Sequence, residues 1–220
     1  KRGYKKFNSA APLNEVLAAG IILLSGWDKK CDLLDPMCGT GTFLIEAAMI
    51  ARNIAPNLNR LSFAFEKWKD WDNELFEKIE DSVKNKEIEF DNKLYGFDIS
   101  NAMIRKAEKN IKISNLGVDI EVVKKDFLST KKTDEDKLHI LINPPYDKRI
   151  TTDANELYKK IGDTLKNNYL FSDVWLITAN LEAIKSIGLR SNKKIKLFNS
   201  NLESRLLNYN IYPGSKKNRA

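Results

Sequence analysis

The tetrapeptide Asn143-Pro144-Pro145-Tyr146 follows the apolar run Leu138-His139-Ile140-Leu141-Ile142. Its residue types suit work on an exocyclic amine of a nucleobase. Such an amine is a poor nucleophile because its lone pair is delocalised into the ring. Acceptors that take its two hydrogens raise its reactivity, and the side-chain oxygen of Asn143 and the carbonyl of Pro144 are such acceptors. The paired prolines fix φ and remove competing N–H donors, so the acceptors are held rigidly. Tyr146 offers a flat face to a flipped base. No strong base is required, since the methylated ammonium is acidic and loses its proton afterwards. The plain alternative is a proline-rich turn that ends a strand, and the upstream residues weigh against it.

Those residues begin with Asp35-Pro36-Met37-Cys38-Gly39-Thr40-Gly41-Thr42, between a short apolar run and a buried-looking helix. Gly39 and Gly41 let the backbone turn sharply and approach a ligand closely. A nucleoside-triphosphate loop would need Gly-Lys-Ser/Thr, and no lysine is present. A dinucleotide loop would need a third glycine where Phe43-Leu44 stand. An acidic residue at a strand end, with no provision for phosphate, suits a cofactor that carries an ammonium and a sulfonium, as S-adenosylmethionine does.

Two further acids end later strands. Asp98, in Gly96-Phe97-Asp98-Ile99, can accept from both hydroxyls of a ribose. Asp126, in Lys125-Asp126-Phe127, can accept from an adenine amino group while Phe127 or Ile99 covers the ring. Each taken alone reads equally well as a turn or cap residue. Three acids on successive strand ends after a glycine loop form a more specific set. Asp98 lies 57 residues beyond Gly41, far more than the usual twenty or so, so residues 53–93 must be an insertion.

The elements that must carry these residues follow from periodicity and punctuation. Residues 12–24 read as a proline-started, largely buried helix, 31–35 as a strand and 43–52 as a second buried helix. An exposed helix is expected near 71–84. Strands are expected at 94–98, 119–123, 138–142 and 173–178, with helices at 101–113, 153–166 and 181–187. Residues 193–198 and 204–211 are two strands with no helix between them. Strands alternating with helices imply a parallel sheet covered on both faces, and the last pair implies an antiparallel hairpin at its edge. The expected class is α/β: a Rossmann-like, seven-stranded, mostly parallel sheet with the last strand antiparallel, as in class I S-adenosylmethionine-dependent methyltransferases.

Composition sets outer limits. The chain has 220 residues, of which 42% are apolar and 30% charged. That supports a large core and excludes fibrous and disordered classes. No apolar run approaches the roughly 18 residues of a membrane span. Cys31 and Cys38 cannot build a disulfide framework or a four-ligand zinc site, so no metal is expected, and the expected compartment is the cytoplasm. The net charge is +7 and lies at the ends: residues 1–30 carry net +4 and 190–220 carry +7, while 61–92 carry −5. If the fold joins the two ends, they form a basic face for a polyanion. The lysine-rich composition (29 Lys against 8 Arg) accounts for the excess about as well. His139, the single histidine, is expected as a buried strand residue, Cys38 as small packing, and Trp68 and Trp71 as helix packing rather than RNA stacking.

The run from Asp35 to Ala48, continued through Ala51-Arg52-Asn53-Ile54-Ala55-Pro56, resembles the catalytic domain of the THUMP-associated RNA methyltransferases. Arg2-Gly3-Tyr4, Ala11-Pro12-Leu13-Asn14-Glu15 and Asn201-Leu202-Glu203-Ser204-Arg205-Leu206 carry the likeness to both ends. The nearest subgroup methylates N2 of a guanine in 23S ribosomal RNA, and its older label is N6-adenine-specific DNA methylase. The resemblance implies S-adenosylmethionine contacts in the set Asp35, Pro36, Gly39, Thr40, Gly41, Thr42, Asp98, Ile99, Asp126 and Phe127. It also implies amine contacts at Asn143, Pro144, Pro145 and Tyr146. The partner it implies is RNA. Where the family often has Gly-Glu-Arg after the tetrapeptide, this chain has Asp147-Lys148-Arg149. A THUMP domain is expected upstream of Lys1, and residues 1–220 are expected to form one catalytic domain, with a lead-in helix in 1–30. An adenine-N6 DNA methyltransferase, a binding module without catalysis and a nicotinamide oxidoreductase are the competing readings.

Overall fold

A computed structural model describes residues 2–7, 13–58, 60–145 and 151–214, with the backbone alone at 151–153. Its frame is one seven-stranded sheet. β1 (Leu33–Asp35), β2 (Leu94–Asp98), β3 (Ile120–Lys124), β4 (Leu138–Ile142) and β5 (Ser172–Thr178) run parallel. β6 (Lys193–Asn199) and β7 (Leu202–Ile211) form the closing hairpin. The spatial order is β3-β2-β1-β4-β5-β7-β6. β7 is antiparallel to both β5 and β6, so the reversed strand lies inside the sheet and β6 forms the edge. Exposed Lys193, Lys194 and Lys196 on β6 guard that edge against pairing with another chain.

The pleat sends alternate side chains to two separate cores. Leu33, Leu141, Trp175 and Ile177 face one, with α1 (Glu15–Ser25), α2 (Thr42–Ala51) and α4 (Asn101–Ser114) packed over them. Leu34, Ile140, Ile142, Val174 and Leu176 face the other, beneath α5 (Thr151–Asn168) and the 3-10 turn Ala183–Ile187. Helices therefore cover both faces, as a parallel sheet requires.

Local chemistry sets the element ends. α1 starts at Glu15 because the Asn14 side chain accepts from the Val16 and Leu17 N–H groups. It stops where Gly26, at φ 68°, returns its N–H to Leu23. Gly96 in the middle of β2 is small because α2 presses on the sheet there. A Cβ at that position would lie 2.5 Å from Leu44 Cδ1 and 2.9 Å from Val122 Cγ1.

Residues 53–93 leave the end of α2 and return to β2. Within them α3 (Asn73–Lys84) has no buried residue. Its Phe76 joins Phe63, Phe65 and Trp71 in a small aromatic cluster. Trp71 precedes the helix and packs in the cluster, while Trp68 touches only its edge and is 67% exposed. The N-terminal and C-terminal parts of the chain meet at α1 and the β6–β7 turn. Among the described residues, the groove between them is lined by Val16, Leu17, Leu24, Leu197 and Phe198 with Asn14, Gly20 and Ser200, and by no lysine or arginine. Among the described residues, no helix is long and apolar enough to cross a membrane.

Candidate active site

The functional candidates sit at the carboxyl ends of four neighbouring strands. In spatial order these are Asp126 after β3, Asp98 ending β2, Asp35 ending β1 and Asn143 after β4. The order reverses between β1 and β4, and ligands of open α/β sheets bind at such a point. A cavity of about 740 Å³ opens there. Asp35, Pro36, Gly39, Thr40, Thr42, Asp98, Ile99, Asp126, Phe127, Asn143, Pro144 and Pro145 all line it. Gly41 does not line it. It stands at φ +80°, and a Cβ there would lie 3.4 Å from Ala107 Cβ, so its backbone freedom serves the turn into α2 and the approach of α4. Tyr146 lies outside the described residues. Leu13, Met37, Cys38, Phe43, Met103, Leu128 and Leu157 complete the wall. Of these, Met37 and Cys38 belong to the glycine loop already picked out in the sequence, and Met103 carries a hint as an apolar residue three positions into the helix that follows an acidic strand end.

The loop after β1 is tied to the end of β2. The Cys38 N–H donates to the Phe97 carbonyl at 2.8 Å, and the Gly39 N–H donates to Asp98 Oδ2 at 3.0 Å. Asp98 Oδ1 accepts from the Ser100 N–H at 2.8 Å. Each Asp98 oxygen thus holds one backbone N–H and keeps capacity for one more donor. Asp126 caps the turn Phe127–Ser129 by accepting from the Leu128 N–H at 3.0 Å, and its carboxylate remains exposed. Phe127 is buried against Tyr169, with ring centres 5.1 Å apart, whereas Ile99 is 69% exposed at the cavity rim. Of the two apolar candidates for covering a ring, Ile99 has the open face.

The electrostatics favour a cation. Asp35 is buried, and its carboxyl is pushed up to about 8, first by loss of water and then by the Asp98 charge. The Met37 N–H, 3.2 Å away, partly offsets this. A positive group placed beside Asp35 relieves that cost. Among the described residues, no lysine or arginine lines the cavity. Burial and the charges of Asp35 and Asp98 push the Cys38 thiol well up, so it packs as a neutral side chain. His139 lies far down β4, 1% exposed, with Nε2 2.9 Å from Ser25 Oγ and Nδ1 3.5 Å from Asp173. A Ser, a His and an Asp in sequence of contact would suit nucleophilic catalysis, but here Ser25 donates to the Ile22 carbonyl and is itself buried.

The strand order with its single reversed strand, the glycine loop and the acid-lined cavity define a Rossmann-like fold of the class I methyltransferase type. A family model for the RMKL-like methyltransferase domain (UPF0020) matches residues 2–208, and the chain belongs to that family. The ribosomal RNA large subunit methyltransferase K/L of Psychromonas ingrahamii is 38% identical over 96% of this chain and 29% of its own length. The solved structure of SMU.472 in complex with SAH superposes with a TM-score of 0.88 at 31% identity, covering 98% of this chain and 56% of that one. A predicted N6-adenine-specific DNA methylase from Listeria monocytogenes gives a TM-score of 0.86 at 28% identity, over 95% and 54% of the two chains. The chain thus spans under a third of the K/L relative and about half of the solved chains.

Proposed function

We propose that the chain is a catalytic domain that transfers a methyl group from S-adenosylmethionine to an exocyclic base amine, with N2 of a guanine in 23S ribosomal RNA as the target. The observation that carries this reading is a shared cavity. Asn143 and Pro144 from the end of β4 line the same space as Asp35 and Asp98 from β1 and β2. The name of the Psychromonas relative and the SAH bound to SMU.472 support the substrate and cofactor classes.

The residues present fit the cofactor. Asp35 would take a cationic group, Asp98 would accept from the ribose hydroxyls with its remaining lone pairs, Ile99 would cover the adenine, and Asp126 would accept from its amino group. When bound, S-adenosylmethionine supplies an electrophilic methyl carbon on a sulfonium. The Asn143 side-chain oxygen and the Pro144 carbonyl hold the two amine hydrogens and so direct the nitrogen lone pair toward the cofactor side of the cavity. They also stabilise the positive charge that builds on nitrogen in the transition state. Water takes the proton of the resulting ammonium.

The test combines calorimetric titration of S-adenosylhomocysteine with methylation of a 23S ribosomal RNA transcript, digested and read by mass spectrometry. Saturable binding and N2-methylguanosine are the expected results. The second reading, adenine-N6 methylation of DNA, rests on the Asn-Pro-Pro-Tyr tetrapeptide and on the Listeria likeness. It gains if N6-methyladenine forms on duplex DNA instead. Cofactor binding without any transfer would indicate a module that has lost catalysis.

A further inference from the structure

Residues 2–7 and Leu13 form a strap across the helices beside the cavity, and three ties hold it. At one end Tyr4 Oη donates to Glu46 Oε1 at 2.7 Å, with Arg2 Nε 2.9 Å from the same oxygen. In the middle Lys5 Nζ donates to the Leu13 carbonyl at 2.5 Å, which seats Leu13 as part of the cavity wall. At the other end is Asn110 on α4, fully buried.

Asn110 contacts two segments at once. Its Oδ1 accepts from the Phe7 N–H at 3.1 Å, and its Nδ2 donates to the Phe7 carbonyl at 2.9 Å. The other Nδ2 hydrogen goes to the Thr40 carbonyl at 3.1 Å. Thr40 stands between Gly39 at φ 53° and Gly41 at φ 80°. Flanking glycines offer little resistance to rotation of a peptide plane. The Thr40–Gly41 peptide is held at both ends, its carbonyl by Asn110 and its N–H by the Cys38 carbonyl at 2.8 Å. Only an amide serves here, because the site needs two donors and an acceptor in one plane.

We infer that Asn110 is a positioning residue for the cofactor: it locks the glycine loop to the strap so that Thr40 and Leu13 present a fixed wall to the cavity. This inference rests on the cofactor reading proposed above. Asn110 does not line the cavity; it acts through Thr40 and Phe7.

The test is Asn110→Asp, which keeps the shape and the Oδ1 acceptor but turns both donors into an oxygen facing two carbonyls. A second variant, Phe7→Pro, removes the half-buried strap N–H that Asn110 accepts, together with the ring under Lys109, and leaves Asn110 itself in place. S-adenosylhomocysteine is titrated into each variant and into the unaltered protein, with circular dichroism as the folding control. The expected result is at least a fivefold rise in Kd for each folded variant. In turnover assays, KM for S-adenosylmethionine rises while kcat at saturation and KM for RNA stay within twofold. A merely structural role lowers the melting temperature and leaves that split unmoved. A folded variant whose Kd changes less than fivefold overturns the inference. If Asn110→Asp does not fold, Phe7→Pro decides by the same threshold. Failure of the unaltered protein to bind would sink the cofactor reading itself, a separate outcome.

Discussion

Gly39 and Asp98, 59 residues apart, are joined by a 3.0 Å hydrogen bond from the Gly39 N–H to Asp98 Oδ2. One carboxylate therefore shapes the loop after β1, and in the proposed reading it also offers acceptors to a ribose. Asp98→Ala removes both. S-adenosylhomocysteine affinity is expected to fall by about 30-fold or more, the equivalent of roughly 2 kcal/mol for lost charge-assisted hydrogen bonds. Asp98→Asn should fall between, and calorimetry reads the series.

In the proposed reaction Asn143 acts at a later stage. Asn143→Ala should lower kcat by about 10² to 10³ while S-adenosylhomocysteine binds within about twofold of the unaltered protein, because the lost acceptor serves the transition state. Single-turnover methylation beside a titration checks the split. Unchanged turnover would remove the amine-holding role.

On the proposed reading, Asp35 should couple binding to protons. Its carboxyl sits near 8 in the folded protein against about 3.9 when unfolded. The raised value means that stability is fully present below about pH 4 and is lost as pH rises through 8. Asp35→Asn should flatten that slope and raise the melting temperature at pH 8. At pH 7 a cationic ligand draws the carboxyl into its ionised form, so binding should release close to one proton. Titration in buffers of different ionisation enthalpy measures the release, and Asp35→Asn should abolish it.

His139 works in the opposite direction. Burial disfavours the imidazolium and brings its value down to about 4, with Asp173 offsetting only part. The unfolded chain takes up a proton near 6.5 that the folded imidazole resists, so stability should fall as pH drops below 6.5. His139→Gln should remove most of that dependence in urea titrations at pH 4.5 and 7.

Gly96→Ala forces a methyl group into the contact between β2, Leu44 and Val122. A loss of about 1–3 kcal/mol is expected from overpacking. Because β2 carries Asp98 two residues on, S-adenosylhomocysteine affinity should fall with it. A melting curve and a titration on the same sample test both.

The strand ends were legible because each apolar run is short and closes on an acid or on Asn143, a pattern local to a few residues. β2 and β4 fall at their expected bounds, and α5 and β7 extend only two residues beyond theirs. What escaped is long-range. Nothing near Asn110 reveals that its partners are Phe7 and Thr40, 103 and 70 residues away. Gly41 reads as a ligand-facing glycine, yet its neighbour is Ala107, a contact created only when α4 packs on α2. A hairpin is visible in residues 193–211, but the placement of β7 inside and β6 outside comes from which strand fits β5: Leu206, Leu207 and Tyr209 are buried while the lysines of β6 are not. Trp71 sits outside its expected helix because Asp72, accepting from the Leu75 N–H, caps it and starts the helix two residues later, at Asn73.

Within the 53–93 segment, residues 53–87 leave through a narrow neck, whereas beyond Ile88 the chain is tied to the core, with Phe90 packed on Trp27 and the Lys93 N–H donating to Asp32. The Ile88 N–H donates to the Arg52 carbonyl at 2.9 Å, Asn53 Nδ2 donates to the Lys86 carbonyl, and Arg52 pairs with Glu87 on one side and Asp119 on the other. A segment pinched off at its base and carrying its own aromatic cluster behaves as an outgrowth. It can lengthen, shrink or change sign without transmitting strain to β1 or β2. Selection can therefore retune this acidic surface independently of the chemistry, and a short turn joining Arg52 to Ile88 would leave the four strand ends where they stand.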